Sequence, residues 1–320
     1  MTFRFDERVA VVTGAGRGLG REFALLLAAR GAAVVVNDIG RSVDAGRYGN
    51  DGPVSAADEV VAEIKRAGGR AVSNAGDVSS PDGAGSIVDA AVSEFGGIDI
   101  VINNAGVVIT NSFAELTLDD LTKSYAVHVG GAFLVSKAAW GHMAGQGYGR
   151  ILNVCSVDGV LVGNQGHTAY DAAKGGVAGL TRGMAEDGRG LGVQVNGLLP
   201  GALTRGHAST DASIRPTGID MRPSLVGPAA GWLVHEDCSV TGRFYAASSG
   251  RMGRIFTAAS AGYQTHPDEF SIEAVQNNWE TVDAPDDFVI PDSTPDYNAM
   301  RRRVYESVNG VLESSASGQE

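Results

Sequence analysis

Short apolar runs alternate along most of the chain with longer segments in which apolar residues recur at helical spacing. The runs rich in valine, isoleucine and leucine lie at residues 8–12, 32–36, 70–74, 98–102, 150–155, 193–199 and 243–247. Segments with helical periodicity lie between them, at residues 19–30, 56–67, 82–95, 118–142 and 168–187. This alternation predicts an α/β fold: a doubly wound parallel sheet of about seven strands, Rossmann-like, with helices on both faces.

The alternation ends near residue 250, and the rest of the chain has a different pattern. It contains a possible strand at 255–258, a helical segment at 271–279, a stretch rich in proline and aspartate at 283–296 and an arginine run at 301–303. No linker separates the two parts, and apolar residues such as Trp279 and Tyr305 recur in the second. We therefore predict a domain over residues 1–250 and a C-terminal extension over residues 251–320, which packs on that domain or on a neighbouring subunit.

Charge and composition narrow the classes of function. A net charge of −12 and a pI near 4.9 argue against nucleic acid or an anionic membrane as a partner. Cys155 and Cys238 are the only cysteines and make no disulfide framework, which favours the cytoplasm. The first eight residues include acidic ones where a signal peptide needs an apolar core, and no apolar run approaches the ~18 residues that span a bilayer.

The first strand closes on a glycine-rich segment, Thr13-Gly14-Ala15-Gly16-Arg17-Gly18-Leu19-Gly20. A helix follows, and the second strand then ends at Asp38. Glycines let the backbone approach a pyrophosphate, and a helix N-terminus presents free N–H groups to it. A carboxylate at the end of the second strand accepts hydrogen bonds from a ribose diol. The pattern predicts a dinucleotide site formed by Gly14, Arg17, Gly18, Leu19, Gly20 and Asp38.

Arg17 and Asp38 point to different cofactors. A basic residue in the glycine loop can bind the 2′-phosphate of NADP, whereas the Asp38 carboxylate would repel it. Two unit charges ~4 Å apart interact by about 4 kcal/mol at an effective dielectric of 20. Arg17 can turn to solvent or cover the adenine, so the Asp38 carboxylate determines the preference between NAD and NADP. We therefore predict NAD as the cofactor.

Tyr170 and Lys174 lie one turn apart in a segment with helical periodicity, so their side chains share a face. An ammonium beside a phenol favours the phenolate and lowers the tyrosine pKa from about 10. Ser156 follows the apolar run at 150–155 and can hold a substrate oxygen near that helix. A Tyr-x-x-x-Lys pair also occurs by chance on many helices. The glycine-rich segment and Asn103-Asn104-Ala105-Gly106 upstream favour an acid/base site.

Together these motifs resemble the short-chain dehydrogenase/reductase family over residues 8 to about 250. The matching segments are Thr13-Gly14-x-x-x-Gly18-x-Gly20, Asp77-Val78, Asn103-Asn104-Ala105-Gly106, Ser156, Tyr170-x-x-x-Lys174 and Pro200-Gly201 with Thr204. The resemblance implies that Tyr170 exchanges a proton with the substrate oxygen, that Lys174 lowers its pKa and binds the nicotinamide ribose, and that Ser156 orients the carbonyl. It also implies cofactor contacts by Asp77, Val78, Asn104, Ala105, Gly106, Tyr170, Lys174, Pro200, Gly201 and Thr204.

Two positions depart from the family pattern. His128 stands where the family has an asparagine whose main chain holds a water in a proton relay. A backbone carbonyl is available whatever the side chain, so we include His128 among the catalytic candidates, with packing alone as the alternative. The interval from Ser156 to Tyr170 is one residue longer than the commonest spacing. We assign the extra residue to the loop at 160–162, on the substrate side.

A narrower resemblance concerns the substrate. Residues 34–40, 163–166 and 232–238 resemble the (3R)-hydroxyacyl-CoA dehydrogenase unit of multifunctional enzyme type 2 and related bacterial hydroxysteroid dehydrogenases. It implies an NAD-dependent oxidoreductase for the secondary alcohol or ketone of a bulky apolar substrate. The phosphates of CoA would suit basic residues at the mouth of the pocket. The segment after Pro200 offers four candidates: Arg205, His207, Arg215 and Arg222. The alternative interpretation is that these are solvated charges of a surface loop.

Other functions stay open at this point. One is a reductase of another ketone, such as a 3-oxoacyl thioester or a terpenoid, and another is a non-catalytic NAD-binding regulatory protein. The intact set of Ser156, Tyr170 and Lys174 favours an enzyme. The resemblance and the long apolar helices at 118–142 and 168–187 predict a homo-tetramer or dimer, and no metal centre is predicted.

Overall fold

The computed structural model describes residues 3–40, 55–203 and 218–310. The chain divides into two units, Met1–Ile255 and Phe256–Glu320. Some residues singled out in the sequence lie outside the described ranges: the predicted cofactor residue Thr204, the basic residues Arg205, His207 and Arg215, and most of the loop after Gly40.

The described part of the first unit contains an eight-stranded sheet. Its strands are β1 (Val9–Thr13), β2 (Ala33–Asn37), β3 (Arg70–Asn74), β4 (Ile100–Asn103), β5 (Gly149–Val154), β6 (Val193–Gly201), β7 (Phe244–Ser248) and β8 (Arg251–Ile255). They are ordered β3-β2-β1-β4-β5-β6-β7-β8, and only β8 runs antiparallel to its neighbour. The predicted doubly wound parallel sheet is confirmed, with eight strands instead of about seven and with an antiparallel strand at its edge.

Helices cover both faces of this sheet. They are α1 (Gly18–Ala29), α2 (Ala56–Arg66), α3 (Pro81–Phe95), α4 (Leu118–Tyr125), α5 (Gly131–Gln146), α6 (Thr168–Asp187) and α7 (Gly227–Leu233). Buried side chains of α1, α2 and α7 pack on one face, and those of α3, α5 and α6 pack mainly on the other. Because β2 is covered on both sides, Val34 and Val35 are both fully buried although they point in opposite directions.

The long helix predicted over residues 118–142 is interrupted near its middle. α4 begins with a capping box, in which Thr117 and Asp120 each bond to the main chain of the other. A π-helical turn, Ala126–Gly130, then joins α4 to α5, which continues to Gln146. Such turns insert one extra residue and are frequent at functional sites. His128 lies in this turn and is buried.

The last strand of the sheet differs from the sequence prediction, which places a strand at 255–258. β8 instead follows β7 through a two-residue turn, where Ser249 and Gly250 have φ angles of 51° and 79°. Paired positive φ values fit the twist of a tight hairpin. β8 contains two arginines and a glycine, a composition suited to a sheet edge, so apolar periodicity does not reveal it.

The second unit has its own small sheet and helices. β9 (Ala259–Ser260) pairs antiparallel with β10 (Phe288–Val289), and the helices are α8 (Ile272–Asn277), α9 (Trp279–Val282) and α10 (Thr294–Asn309). α10 begins well before the arginine run because the Ser293 side chain accepts from the N–H of Asp296 and Pro295 occupies the first turn. Within the described ranges, no helix combines the length and apolar character needed to cross a bilayer.

Candidate active site

The predicted site residues meet at the carboxyl edge of the sheet. The glycine loop follows β1, the Asn-Asn-Ala-Gly segment begins in β4 and continues beyond it, and Ser156 follows β5. These three strands are neighbours, and the strand order reverses between β1 and β4. A reversal of this kind opens a crevice in which open α/β sheets bind ligands. Tyr170 and Lys174 lie on α6, the helix that follows β5.

The glycine loop packs directly against the Asn-Asn-Ala-Gly segment. The Asn104 side chain donates to the carbonyl oxygens of Thr13 and Gly14 at 2.9 and 3.0 Å. The Thr13 hydroxyl accepts from the N–H groups of Asn104 and Ala105, both at 3.0 Å. A Cβ added to Gly14, which has a φ of 60°, would lie only 2.9 Å from the Cα of Ala105. Glycine is therefore required here by both space and backbone conformation.

Asp38 lies beside this loop, at the end of β2. Its Oδ2 accepts from the N–H of Gly16 at 3.0 Å, and its Oδ1 accepts from the N–H of Gly40 at 3.0 Å. A Cβ on Gly16 would come within 2.8 Å of the same Oδ2. The structure thus brings Asp38 and the glycine loop together. Arg17 occupies the N-cap of α1 in an extended conformation.

The remaining predicted cofactor residues line the same edge. Asp77 lies after β3 and accepts from the N–H and hydroxyl of Ser79 at 2.8 and 2.6 Å, so its carboxylate is used within its own turn. Val78 is buried, and a Cβ on Gly131 would contact it at 2.8 Å. Pro200 and Gly201 end β6, paired with the last residues of β7.

Lys174 is buried in the centre of the site, with 4% of its surface exposed. Its Nζ donates to the main-chain oxygen of Val154, the last residue of β5, at 2.6 Å. Burial lowers the pKa of Lys174 to about 8, and the neighbouring Cys155 opposes that change. The Nζ also lies 5.5 Å from the ring centroid of Tyr170. The ammonium is therefore fixed between the end of β5 and the tyrosine.

Tyr170 lies in the first turn of α6 and hydrogen-bonds Ser156. The Ser156 Oγ accepts from the N–H of Asp158 at 3.1 Å. Burial raises the pKa of Tyr170 to about 12, while the bond with Ser156 lowers it. This direction is opposite to the lowering by Lys174 expected from the sequence, because the cost of burying a phenolate outweighs the favourable contacts.

His128 faces Tyr170 from the π-helical turn, with ring centroids 5.3 Å apart and nearly perpendicular. Its Nε2 lies 2.8 Å from the carbonyl oxygen of Val107 and 3.2 Å from the N–H of the same residue. We assign the proton to Nε2 on the shorter contact, which leaves Nδ1 as an acceptor. Burial and the charge of Lys174 lower the pKa of His128 to about 3. The imidazole is therefore neutral at physiological pH.

Two buried acceptor atoms of residues near Lys174 have no hydrogen-bond partner in the described part of the chain. They are Nδ1 of His128 and Oδ1 of Asn103. Both residues and Lys174 line one cavity of about 10 Å³. That volume is close to the minimum that holds one water, which needs two to four polar partners. One donor, Lys174, and two acceptors make a complete set of partners for a water.

Two further residues lie next to this site, and the sequence motifs do not single them out. Asp158 lies two positions after Ser156, and His167 immediately precedes α6. The Asp158 Oδ2 and His167 Nδ1 are 3.5 Å apart, and the His167 ring lies 6.0 Å from the Tyr170 ring. Their position in the loop between the two catalytic candidates is the signal that would have pointed to them.

A family model described as short chain dehydrogenase matches residues 8–213. Peroxisomal multifunctional enzyme type 2 of Mus musculus is 39% identical over 282 residues, which cover 87% of this chain and 37% of that protein. The full-length peroxisomal multifunctional enzyme type 2 of Drosophila melanogaster has a solved structure with a TM-score of 0.77 and 32% identity, covering 95% of this chain and 50% of that one.

A second solved structure is that of a 7α-hydroxysteroid dehydrogenase complexed with NADH and 7-oxo glycochenodeoxycholic acid. It has a TM-score of 0.66 and 30% identity, and the match covers 77% of this chain and 94% of that chain. The multifunctional relatives are much longer proteins, since the chain spans 37% and 50% of the lengths of the two described above.

Proposed function

The chain belongs to the short-chain dehydrogenase/reductase family of oxidoreductases, and we propose that it interconverts a secondary alcohol and a ketone on a bulky apolar substrate with NAD. The observation that carries this proposal is the convergence of Ser156, Tyr170 and Lys174 beside the glycine loop. A nucleotide-binding protein without activity would have no need of this set.

The proposed chemistry assigns each side chain a role at the substrate oxygen. During oxidation Tyr170 takes the hydroxyl proton, and during reduction it returns a proton to the carbonyl oxygen. Ser156 donates to that oxygen and holds it within reach of the phenol. Lys174 stabilises the phenolate by its charge and binds the nicotinamide ribose. The nicotinamide, when bound, supplies the hydride acceptor or donor for the substrate carbon.

His128 and Asn103 support a route for the proton behind Lys174. A water in the cavity would accept from the Lys174 ammonium and donate to Nδ1 of His128 and Oδ1 of Asn103, the two acceptors described above. In this assignment His128 acts as a neutral acceptor and not as a charged acid, in agreement with its low pKa. The histidine thus holds the relay water with its side chain.

NAD is favoured over NADP by the environment of Asp38. Its carboxylate lies at the loop beside Gly16, where the adenosine ribose is expected in this family, and it accepts from the main-chain N–H groups of Gly16 and Gly40. A 2′-phosphate would meet this negative charge directly, whereas a ribose diol would donate to it.

For the substrate we propose a 3-hydroxyacyl-CoA, with a hydroxysteroid as the second candidate. The first follows from the similarity to multifunctional enzyme type 2, and the second from the similarity to a 7α-hydroxysteroid dehydrogenase. Among the basic residues considered for CoA, the described Arg222 pairs with Asp220 at 2.8 Å. The exposed aliphatic side chains of Leu161 and Val162, beside Ser156 in the chain, suit either apolar substrate.

A spectrophotometric assay of the purified chain tests the proposal. NAD reduction is followed with both enantiomers of a 3-hydroxyacyl-CoA, with a hydroxysteroid panel and with simple secondary alcohols. We expect turnover with one of the two proposed classes and preference for one enantiomer. Binding of NADH without turnover of any alcohol or ketone would favour the non-catalytic alternative.

A further inference from the structure

Three side chains of the types that bind metal ions converge between β5 and the first turn of α6. They are Asp158, His167 and Asp171, which we call the loop cluster. Each offers one ligand-type atom, a carboxylate oxygen or a ring nitrogen, and these atoms all lie within 4.8 Å of one another. The Asp158 Oδ2 and the His167 Nδ1 are 3.5 Å apart. The fold thus brings together residues that no metal-binding motif links in the sequence.

The negative charges of the loop cluster are not balanced by a lysine or an arginine. Within the described ranges, the cationic partner of the two carboxylates is the His167 imidazole, which is charged only when protonated. The side chains of Asp158 and His167 are only 25% and 12% exposed. Aspartate is rarely withdrawn from solvent unless it is paired. The cluster therefore calls for a positive charge.

One oxygen of Asp171 provides a second, independent observation. Its Oδ2 accepts from the main-chain N–H of Asn164 at 2.9 Å. Its Oδ1 is buried and has no hydrogen-bond partner in the part of the chain that the structure describes. A buried carboxylate oxygen without a partner costs free energy. A water can donate to only two acceptors, whereas a cation can contact two carboxylates and an imidazole at once. A cation is therefore the partner that fits the whole cluster.

The distances suit a metal ion. Two ligand atoms bound to a tetrahedral Zn²⁺ are about 3.3 Å apart, since each lies about 2.0 Å from the ion. The separation of 3.5 Å between Asp158 and His167 is close to that value. The other separations, at most 4.8 Å, approach it with a small rotation of a carboxylate.

Asn164 can complete the set of ligands. Its Nδ2 lies 3.2 Å from the Asp158 Oδ2 and 3.2 Å from the His167 Nδ1. A half-turn of this amide about its last bond would present the amide oxygen at the same place, as an acceptor instead of a donor. Three of the ligand side chains and this oxygen would make the four ligands that zinc takes in closed sites.

We propose that Asp158, His167 and Asp171 form a binding site for a divalent metal ion of the first transition row, with Zn²⁺ as the best fit. An imidazole beside two carboxylates suits zinc, cobalt or manganese, whereas magnesium and calcium take oxygen ligands. The ion ties the loop after Ser156 to the residue that follows Tyr170. This site is additional to the proposed reaction, and none of the roles assigned above requires the ion.

The test is a titration of the untagged, metal-free chain with Co²⁺, followed by the visible absorption of the bound ion. We expect the wild type to bind one equivalent at micromolar concentration. Zn²⁺ should displace the Co²⁺ at comparable concentration, whereas millimolar Mg²⁺ should not, because Mg²⁺ does not favour an imidazole ligand.

Two variants remove one ligand each. His167→Phe keeps a ring beside Tyr170, whose ring centroid lies 6.0 Å from that of His167, and it removes no helix cap because the His167 side chain makes no capping bond. Asp171→Asn keeps an acceptor for the N–H of Asn164. We expect each to weaken Co²⁺ binding by more than about tenfold, since even the loss of an outer contact to a ligand has an effect of that size. Asp158→Asn replaces either variant that fails to fold.

His142→Phe and Asp89→Asn are the matched controls. His142 is exposed on α5 and Asp89 is exposed on α3, so these changes remove an imidazole and a carboxylate outside the loop cluster. Both controls should bind Co²⁺ like the wild type. Zinc chloride should also raise the thermal midpoint of the wild type and of the controls more than that of the loop-cluster variants, because an ion bound to the folded state stabilises it.

Two results would overturn the proposal. One is a wild type that binds no Co²⁺ or Zn²⁺ at these concentrations. The other is a folded loop-cluster variant that binds Co²⁺ as tightly as the wild type, which would show an adventitious ion only. Neither measurement uses substrate or cofactor. Failure of the metal site therefore leaves the proposed function standing, whereas absence of turnover in a wild type that binds the ion contradicts the proposed function alone.

Discussion

The Nζ of Lys174 lies 2.6 Å from the main-chain oxygen of Val154, so a buried ammonium is held by the last residue of a central strand. Burial lowers the pKa of this lysine to about 8 from an ordinary value of 10.5. Below pH 8 the lysine is charged in the folded and unfolded states, and the full cost of burying the charge is present. Between those two values the folded protein releases its proton first, so its stability rises with pH.

Lys174→Met should therefore change how stability depends on pH. Below pH 8, burial of the charged lysine lowers the free energy of unfolding of the wild type by up to about 3 kcal/mol. This is an upper figure for the difference between the two proteins, because the variant also leaves the Val154 oxygen without its donor. We expect the free energy of unfolding of the wild type to rise relative to that of the variant as pH rises from 8 to 10.5. Denaturant titrations across this range measure it, with the exposed Lys137→Met as control. A difference in the free energy of unfolding that stays constant across this pH range would show that the pKa of Lys174 is not lowered in the folded protein.

His128→Asn should make the fold less sensitive to acid. His128 has a pKa of about 3 in the folded state against 6.5 ordinarily, so the unfolded chain binds a proton first as pH falls. This group therefore contributes stability above pH 6.5 that is lost as pH falls toward 3, by up to about 5 kcal/mol. Acid unfolding monitored by circular dichroism measures the effect, with the exposed His142→Asn on α5 as control. Equal acid midpoints for wild type and His128→Asn would contradict the assignment.

Much of the fold was predictable because its signals are local. β1, the glycine loop and β2 follow from apolar runs closed by glycine and by Asp38, and the resemblance to the short-chain dehydrogenase/reductase family is confirmed. The π-helical turn at His128 was not predictable, since one inserted residue barely alters helical periodicity. β8 was missed because an edge strand needs no apolar face.

The sequence predicts which residues form the site better than it predicts the pKa changes of those residues. Sequence spacing places Tyr170 beside Lys174, but the sign of the pKa change of Tyr170 depends on how deeply the loop and the π-helical turn bury it. The contact of Asp158 with Ser156 and the cavity beside Asn103 depend equally on packing between distant segments. Burial and contacts between distant segments cannot be derived from the spacing of residues along one helix.

Asp38→Ala should narrow the preference for NAD over NADP. The substitution removes both the acceptor for a ribose diol and the charge that opposes a 2′-phosphate. We expect kcat/KM with NAD to fall and kcat/KM with NADP to rise, with Asp82→Ala on α3 as an exposed control. Equal or better use of NADP by the wild type would refute the preference, and an unchanged ratio in the variant would show that another residue sets it.

The chain should form a homo-oligomer, a tetramer or a dimer. Exposed apolar side chains lie along the helices that the family resemblance implicates in subunit pairing, among them Leu118 and Tyr125 on α4 and Phe133 on α5. Light scattering at micromolar concentration measures the mass directly. Phe133→Glu should shift the distribution toward smaller species because it places a charge in an apolar contact. A monomeric wild type would contradict this prediction.

The central claim, that Tyr170 exchanges the proton with the substrate oxygen, is tested most directly by Tyr170→Phe. The measurement is kcat with the best alcohol substrate, beside the dissociation constant for NADH, with Tyr148→Phe as a control at the opposite end of β5, where Tyr148 contacts Arg8. We expect Tyr170→Phe to abolish turnover and to leave NADH binding nearly intact, because only the hydroxyl is lost. Turnover close to that of the wild type would contradict it.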